Sequence, residues 1–183
     1  MAQKSIIKQV SARIIAAGTV VGGAEMAGPL AEKFDFHDKS DRFDQPTWEK
    51  SESEMQRIAL ATAISKSGFH TKDVGAIFAG DLLNQCVGSA YGLLEYDVPF
   101  YGIYGACSTS AEGIMLASMM TSAGYFSLCG AVTSSHNCSA ERQYRSPVEY
   151  GGQKPPSAQW TVTGSGAFIV AGEEASRGRG ACI

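Results

Sequence analysis

Short apolar segments that alternate with helical segments constrain the fold of this chain most strongly. Five segments rich in β-branched and small apolar residues predict strands, at residues 12–23, 74–80, 98–105, 127–135 and 164–172. Helical patterns separate the first four of these segments. Because a strand–helix–strand order is typical of parallel strand pairs with helices packed on the sheet, the pattern predicts an α/β fold whose mixed, mostly parallel five-stranded sheet carries helices on both faces.

Three helices are predicted between the strands. A capping box of Ser51 and Glu54 opens the first helix, which ends at Gly68. The second spans residues 81–96 and opens on Asp81. The third, over residues 106–124, has no continuous polar face, so we expect it to be buried on nearly all sides.

Two stretches lack periodicity and predict irregular structure. Residues 22–48 are rich in Gly, Pro, Asp and aromatic residues and predict a long loop excursion, while residues 136–160 predict an irregular polar segment. The length of 183 residues suits a single unit with one core. We therefore expect one domain over residues 1–183, or one half of a larger two-part fold.

The overall composition excludes several classes of protein. A hydrophobic content of 44% with 18% charged residues is that of a packed globular chain, and the formal net charge of −3 gives no basic surface for nucleic acid. The five cysteines lack a CxxC pair, which favours free thiols in a reducing compartment. Lys8 and Arg13 interrupt the apolar start of the chain, so we expect neither a signal peptide nor a membrane span, and any membrane role would require recruitment.

Cys107 is the strongest candidate for chemistry. It follows Gly105 and Ala106, where a strand is predicted to turn sharply into a helix, and the positive end of that helix would favour a thiolate. The alternative is that Cys107 is a small core residue, because free cysteine is often buried.

Polar groups follow three of the predicted strands. They lie at residues 81–84, 107–110 and 134–137. Since ligands bind beyond the carboxyl ends of parallel strands, we expect these groups to converge on one site. His136 would serve there as a base or as a donor to a carboxylate, or would instead be a loop histidine bonded to backbone. Arg142 offers a planar fork for a carboxylate, or would pair with Glu141 or Glu149 on a solvated loop.

Several motifs resemble one family. The segments AGDLLNQ (79–85), YGACSTS (104–110), SSHN (134–137), AERQYR (140–145), EYGGQKP (149–155) and TVTGSGA (161–167), with a weaker match in GPLAEKFD (28–35), are similar to those of the stage V sporulation protein AD family. The order of strands and helices, with a cysteine opening the third helix, resembles the N-terminal half of the thiolase fold. Together these motifs are specific, whereas each alone is not.

The resemblance implies a role in bacterial endospores. It implies non-catalytic binding of dipicolinic acid or its calcium complex, which supports uptake into the developing spore and release at germination. It further implies association with other stage V sporulation A proteins at the cytoplasmic side of the forespore or inner spore membrane, and a homodimer. No cofactor is expected, and the identity of any metal is left open. The protein is expected not to be an enzyme, because thiolase-fold enzymes take catalytic histidines from a second half that this sequence lacks.

The resemblance also suggests the ligand-binding residues. Cys107 corresponds in position to the nucleophile of the enzymes, here degenerate, and Asp81 and His136 match family residues of the cleft. With them we predict a pocket that includes Asn84, Ser108, Thr109 and Arg142. Two other functions stay open: an acyltransferase that uses Cys107, and a structural partner subunit of a spore membrane complex. Asp81 would repel a dianion unless calcium bridges the two charges or the carboxylate caps its own helix.

Overall fold

Seven strands form one mixed sheet in the computed structural model, which describes residues 11–83, 86–144 and 161–183, with only the backbone of 141–144. The strands are β1 (Arg13–Val21), β2 (Phe36–His37), β3 (Ala76–Asp81), β4 (Phe100–Gly102), β5 (Leu128–Ser135), β6 (Gly164–Ala171) and β7 (Ala181–Cys182). The helices are α1 (Gly23–Met26), α2 (Trp48–Ser67), α3 (Val87–Gly92), α4 (Thr109–Ser122), α5 (Asn137–Tyr144) and α6 (Glu173–Ser176). Short 3-10 turns lie at Ala31–Lys33, Thr71–Asp73, Leu94–Tyr96 and Ala106–Ser108.

The sheet has the strand order β2–β1–β6–β5–β3–β4, and β7 pairs with β1. Strands β1 to β5 run in one direction, whereas β6 is antiparallel to both β1 and β5, and β7 is antiparallel to β1. All five predicted strands are present, and the predicted mixed, mostly parallel sheet is confirmed. The two additional strands, β2 and β7, have two residues each.

Strand β6 runs opposite to its neighbours β1 and β5. Strand β5 ends at Ser135, and α5 follows immediately on the same side of the sheet. Because β6 starts at Gly164, paired with Ser135, it begins at the edge where β5 ends and runs back. The carboxyl ends of β1, β3 and β5 therefore share one edge with the amino end of β6.

Helices cover both faces of the sheet, as predicted. Alternate residues of each strand point to opposite faces, so Ile77 packs in the layer beneath α2 while Phe78 packs in the layer that contains Ala117 of α4. The α2 layer also holds the fully buried Met55 and Leu60. Burial of each such side chain contributes about 1.5–3 kcal/mol.

Helix α2 begins earlier than predicted. Thr47 is the N-cap and its hydroxyl accepts a hydrogen bond from the Lys50 amide, so the helix starts at Trp48 and the predicted capping box of Ser51 and Glu54 is wrong. Ser51 is buried inside the helix, and its hydroxyl donates to the Thr47 carbonyl. The predicted end is confirmed, because Gly68 adopts a left-handed conformation with φ of 78°.

The helix predicted to open on Asp81 is also shorter. Asp81 is the last residue of β3, and α3 spans only Val87–Gly92. The pattern misled because the apolar residues of 81–96 are shared among a strand end, α3 and a 3-10 turn at Leu94–Tyr96. Asn84 and Gln85 lie outside the described residues.

Helix α4 is not buried on nearly all sides. One side packs on β3 and β5, whereas Met115 and Met119 on the other side are 55% and 56% exposed. The sequence predicted burial from the absence of a polar face. Within the described residues, however, the sheet supplies only one layer against this helix.

The two predicted irregular segments contain regular structure. Residues 22–48 include α1, the turn Ala31–Lys33 and β2. The segment 136–160 was predicted to be irregular, but its first part forms α5. Residues 145–160 lie outside the described part of the chain.

Candidate functional site

A cleft of about 490 Å³ opens at the edge where the carboxyl ends of β1, β3 and β5 meet the amino end of β6. It is the edge at which the sequence placed a site. Each of these four strands contributes to the wall, together with the turn that precedes α4. The lining residues are Thr19, Val20, Val21, Phe34, Asp81, Leu82, Ala106, Cys107, Thr109, Ser110, Thr133, Ser134, Ser135, Thr161, Val162, Gly164, Ser165 and Gly166.

Strand register explains why hydroxyl groups concentrate in this cleft. Asp81 of β3 pairs with Ser134 of β5, and Ser134 pairs with Ser165 of β6, so the three residues form one row across the sheet. In the row before it, Thr133 of β5 pairs with Gly166 of β6. Two of the three predicted polar groups therefore meet here through pairing alone.

The third group, Cys107, enters the cleft from a strained turn. Cys107 is exposed, and the preceding Ala106 has a φ of 49°, a left-handed conformation that non-glycine residues rarely adopt. The turn is held by Thr109, whose hydroxyl accepts from the Gly105 amide at 3.0 Å and donates to the Ala106 carbonyl at 2.8 Å. The chain thus presents the Cys107 side chain at the start of α4, as expected.

Ser108 and Thr109 stabilise this turn. The Ser108 hydroxyl donates to the Gly105 carbonyl at 2.7 Å, and Ser108 does not line the cleft. Thr109 lines the cleft, although it is only 4% exposed. Ser110, which the sequence placed in the same polar group, also contributes to the wall.

The Asp81 carboxylate caps a helix from outside it. Its Oδ2 accepts hydrogen bonds from the Ser89 amide and hydroxyl, both at 3.2 Å, and its Oδ1 accepts from the Leu83 amide at 3.2 Å. Ser89 is the third residue of α3, so Asp81 satisfies an amide of the first turn. The capping role that the sequence suggested is present, but the helix it caps starts at Val87.

A buried polar network lies behind the cleft, and the sequence did not predict it. Glu52 and Gln56 of α2 are both fully buried. Ser134 donates to Glu52 Oε1 at 2.8 Å, and Ser139 of α5 donates to Glu52 Oε2 at 2.9 Å. The Gln56 amide donates to Ser134 Oγ at 2.7 Å and to Ser89 Oγ at 3.0 Å. The network therefore joins α2, α3, β5 and α5.

Burial shifts the proton equilibrium of Glu52. Loss of solvation raises its pKa from 4.5 to about 7, the hydrogen bond from Ser134 opposes that rise, and the negative charge of Asp81 adds to it. Within the described residues no lysine, arginine or histidine forms an ion pair with Glu52. Glu52 is therefore close to half-protonated at neutral pH.

A signal for this network existed in the sequence. Glu52 and Gln56 lie four residues apart and share a helix face with Ala59, Ala63 and other buried residues. A polar pair on an apolar helix face indicates either a buried polar network or a wrongly assigned buried face of the helix. The assignment of the SESE segment to a capping box hid this signal.

His136 does not face the cleft. It is fully buried, its Nε2 lies 2.8 Å from the Asp41 carbonyl, and its Nδ1 accepts from the Cys138 amide at 3.2 Å. The ring packs against Trp48 at 5.2 Å between centroids. Desolvation lowers the pKa of His136, so the neutral form with the proton on Nε2 fits both contacts. The alternative of a histidine bonded to backbone is observed, His136 is not among the residues that line the cleft, and ligand contact by His136 stays a prediction.

Two predicted ligand-binding residues fall where the structure gives no side-chain position. Asn84 lies outside the described residues, and Arg142 belongs to α5, for which only the backbone is described at that position. Ligand binding by these residues stays a prediction.

Neither a metal-ligand cluster nor a membrane-spanning helix is present among the described residues. Among residues 11–83, 86–144 and 161–183, no group of three or more His, Cys, Asp or Glu side chains is arranged to hold a metal ion. In the same ranges, no helix has the length and apolar character required to cross a bilayer.

The fold is that of thiolase-like enzymes. The priming β-ketosynthase of the R1128 polyketide pathway aligns with a TM-score of 0.58 at 12% identity, over 91% of this chain and 52% of that one. The 3-oxoacyl-[acyl-carrier-protein] synthase III of Aquifex aeolicus VF5 aligns with a TM-score of 0.58 at 14% identity, over 87% and 53% of the two chains. These similarities show the α/β fold, with about half of each enzyme matched.

Sequence comparison identifies a nearer relative. Stage V sporulation protein AD of Bacillus subtilis (strain 168) is 43% identical over 154 residues, which cover 84% of this chain and 46% of that protein. The match thus spans about half the length of the relative. The model of the stage V sporulation protein AD family matches residues 2–179, and the chain therefore belongs to the stage V sporulation protein AD family.

Proposed function

We propose that this chain binds dipicolinic acid, or its calcium complex, without catalysing a reaction, and that this binding supports uptake of the compound into the developing endospore and its release at germination. Membership of a sporulation protein family supports the cellular setting. The proposal includes a peripheral position at the cytoplasmic side of the forespore or inner spore membrane, contact with other stage V sporulation A proteins, and a homodimer.

The strand-end cleft is the observation that carries this proposal. Its volume of about 490 Å³ lies in the range of about 300–1,000 Å³ that is typical of small-molecule sites. Phe34, Val21 and Val162 offer apolar surface for a flat ring. Several strand-end hydroxyls, such as that of Ser134, already donate within the protein, but the buried Ser135 Oγ in the wall of the cleft has no hydrogen-bond partner within the described part of the chain and is a candidate donor to a carboxylate.

The electrostatics of the cleft are compatible with an anionic ligand. Asp81 does not present a bare carboxylate, because both of its oxygens already accept hydrogen bonds from protein groups. A ligand in contact with Cys107 and Ser110 would lie next to the amino end of α4, a helix of 14 residues, where the helix dipole favours negative charge. A bound calcium ion would reduce the remaining repulsion from Asp81.

The surroundings of Cys107 favour binding over catalysis. Acyl transfer by a cysteine needs a group that exchanges protons with the reacting atoms, even where a helix N-terminus favours the thiolate. None of the described residues that line the cleft is a histidine or a lysine, and His136 uses both ring nitrogens in backbone contacts.

Acyl transfer is the second candidate, and one observation favours it. Ala106 stores backbone strain in the turn that exposes Cys107, and such strain is concentrated at functional sites. Incubation with acyl-CoA followed by intact mass spectrometry separates the two functions. We expect iodoacetamide to modify Cys107 and acyl-CoA to leave no adduct, whereas a substrate-dependent thioester at Cys107 would establish the acyltransferase.

Calorimetry tests the binding function directly. Dipicolinic acid is titrated into the chain with and without calcium, and into a Gly166→Leu variant. Gly166 lines the cleft, and a Cβ atom added there meets no atom within 4 Å, so leucine fills the cleft without clashing at its base. We expect saturable binding that weakens at least about tenfold in this variant, which corresponds to about 1.4 kcal/mol.

Ala123→Leu is the matched control. Ala123 is exposed at the C-terminal end of α4, opposite the cleft, and gains the same side chain. We expect its affinity to equal that of the wild type. Absence of binding by the folded chain, or equal binding by the Gly166→Leu variant, would contradict the proposed site.

A further inference from the structure

Glu52 lies one hydrogen bond behind the wall of the cleft. Ser134 lines the cleft and donates to Glu52 Oε1, while Asp81, which lies beside Ser134 in the sheet, lines the same wall. A charge that enters the cleft therefore acts on Glu52 through the protein interior, where electrostatic screening is weaker than in bulk water.

The hydrogen-bond partners of Glu52 fit both of its protonation states. The two side chains in contact with its oxygens, Ser134 and Ser139, are hydroxyls, and a hydroxyl can donate or accept. An ionised Glu52 accepts from both, and a protonated Glu52 donates to one of them. Exchange of a proton therefore requires rotation of hydroxyl groups and no movement of the backbone.

Among the described side chains, the charged groups that act on Glu52 are carboxylates. Asp81 of β3 and Glu49 of α2 are the carboxylates that act on it, while β5, α3 and α5 face it with the neutral Ser134, Gly88 and Ser139. No cation of the described residues pairs with it. An additional negative charge in the cleft would make the ionised form of Glu52 still less favourable.

We propose that Glu52 is a positioning residue that takes up a proton from solvent when an anion occupies the strand-end cleft. This inference rests on the proposed function, because it concerns the same cleft and an anionic ligand. Binding then places a neutral, hydrogen-bonded Glu52 behind Ser134 and removes a repulsive charge. The affinity for the anion is expected to fall as pH rises through neutrality. The total fall from low to high pH equals the factor by which the bound ligand increases the proton affinity of Glu52, so a tenfold increase in that proton affinity gives a tenfold fall.

Proton-linked calorimetry tests the inference. Dipicolinate is titrated at pH 7 in Tris and in MOPS, whose ionisation enthalpies differ, and the difference in heat gives the number of protons taken up per ligand. Because Glu52 is close to half-ionised at this pH, we expect uptake of up to about 0.5 proton in the wild type. In Glu52→Gln, which keeps the shape of the neutral side chain, we expect binding without uptake.

Two controls separate this coupling from other effects. Glu173→Gln makes the same substitution at an exposed position beyond the opposite end of β6, and its proton uptake should equal that of the wild type. An equimolar amount of calcium makes the ligand neutral, so most of the uptake should disappear. Uptake that persists with calcium would overturn the electrostatic coupling.

The outcomes distinguish this inference from the proposed function. Binding without proton uptake in the wild type, or undiminished uptake in Glu52→Gln, overturns the inference and leaves the function in place. Absence of binding overturns both. If Glu52→Gln does not fold, carboxyl ¹³C NMR of the wild type decides: the Glu52 titration must have its midpoint near pH 7 and move upward with dipicolinate, and a midpoint below pH 5 overturns the inference.

Discussion

Replacement of Glu52 by Gln should remove a pH dependence of stability that the buried carboxyl imposes on the fold. The pKa of Glu52 is raised from 4.5 to about 7 in the folded chain, chiefly because burial costs the anion its solvation. The folded state therefore holds this proton more tightly than the unfolded state. The resulting stabilisation is complete below about pH 4.5 and is lost as pH rises through about 7.

The magnitude follows from the two pKa values. At about 1.4 kcal/mol for each tenfold change in proton affinity, the full effect is about 3 kcal/mol. Most of this, about 2–3 kcal/mol, falls between pH 5 and pH 8. Glutamine cannot ionise, and it can donate from its amide nitrogen to one of the Ser134 and Ser139 hydroxyls while its oxygen accepts from the other, so the variant should lack this loss.

Urea unfolding at pH 5, 6, 7 and 8 measures the effect. The quantity to compare is the free energy of unfolding of Glu52→Gln minus that of the wild type, because His136 and other groups contribute equally to both proteins and cancel. We expect this difference to increase by about 2–3 kcal/mol from pH 5 to pH 8. A flat difference, or one that changes only below pH 5, would refute the assignment of a neutral-range proton to Glu52, and Glu173→Gln should give a flat line.

Three further predictions concern packing, thiol accessibility and the buried histidine. Gly18→Ala should lower the free energy of unfolding, measured in urea, by about 1–3 kcal/mol, because the added Cβ would clash with a backbone oxygen of α2. Gly166→Ala, where the added Cβ meets open space, should change this free energy by less than about 0.5 kcal/mol. Equal effects of the two substitutions would contradict the close approach of β1 to α2. Iodoacetamide should alkylate the exposed Cys107 within minutes and spare Cys129, whose pKa burial raises to about 12, and rapid labelling of Cys129 in the folded chain would contradict the core packing. His136 should stay neutral, with the proton on Nε2, to a lower pH than a histidine of the unfolded chain, because burial lowers its pKa, and stability should fall as pH decreases through the pKa of the unfolded histidine. A ¹⁵N NMR titration midpoint at or above that of the unfolded chain would disagree with its buried contacts.

Local patterns were sufficient for the elements of the fold. Five apolar segments became the five longer strands, and Gly68 ended α2, because strand and helix-end preferences depend on neighbouring residues. The site edge was also predictable, since parallel strands connected by helices place their carboxyl ends together. The motifs around Cys107 further indicated the family to which the chain belongs.

Helix boundaries and polar burial were less accessible. Ser51 and Glu54 satisfy the capping pattern, yet Thr47 caps the helix one turn earlier, because the preceding loop brings the Arg42 carbonyl to the Ser51 hydroxyl. His136 had the residue type of a base, but contact with the Asp41 carbonyl, 95 residues away, made it part of the interior.

The sequence by itself determined the alternation of strands and helices, the edge that carries the cleft and the turn that brings Cys107 to the start of a helix, whereas the exposure of Cys107 came from the structure. Only the tertiary structure decided that β6 runs against its neighbours and that Glu52 is buried with no ion-pair partner among the described side chains. The physical reason is distance along the chain: Ser134 and Ser139 meet Glu52 across 82 and 87 residues, so strand order, and no local pattern, determines the solvation and the charge of that carboxyl.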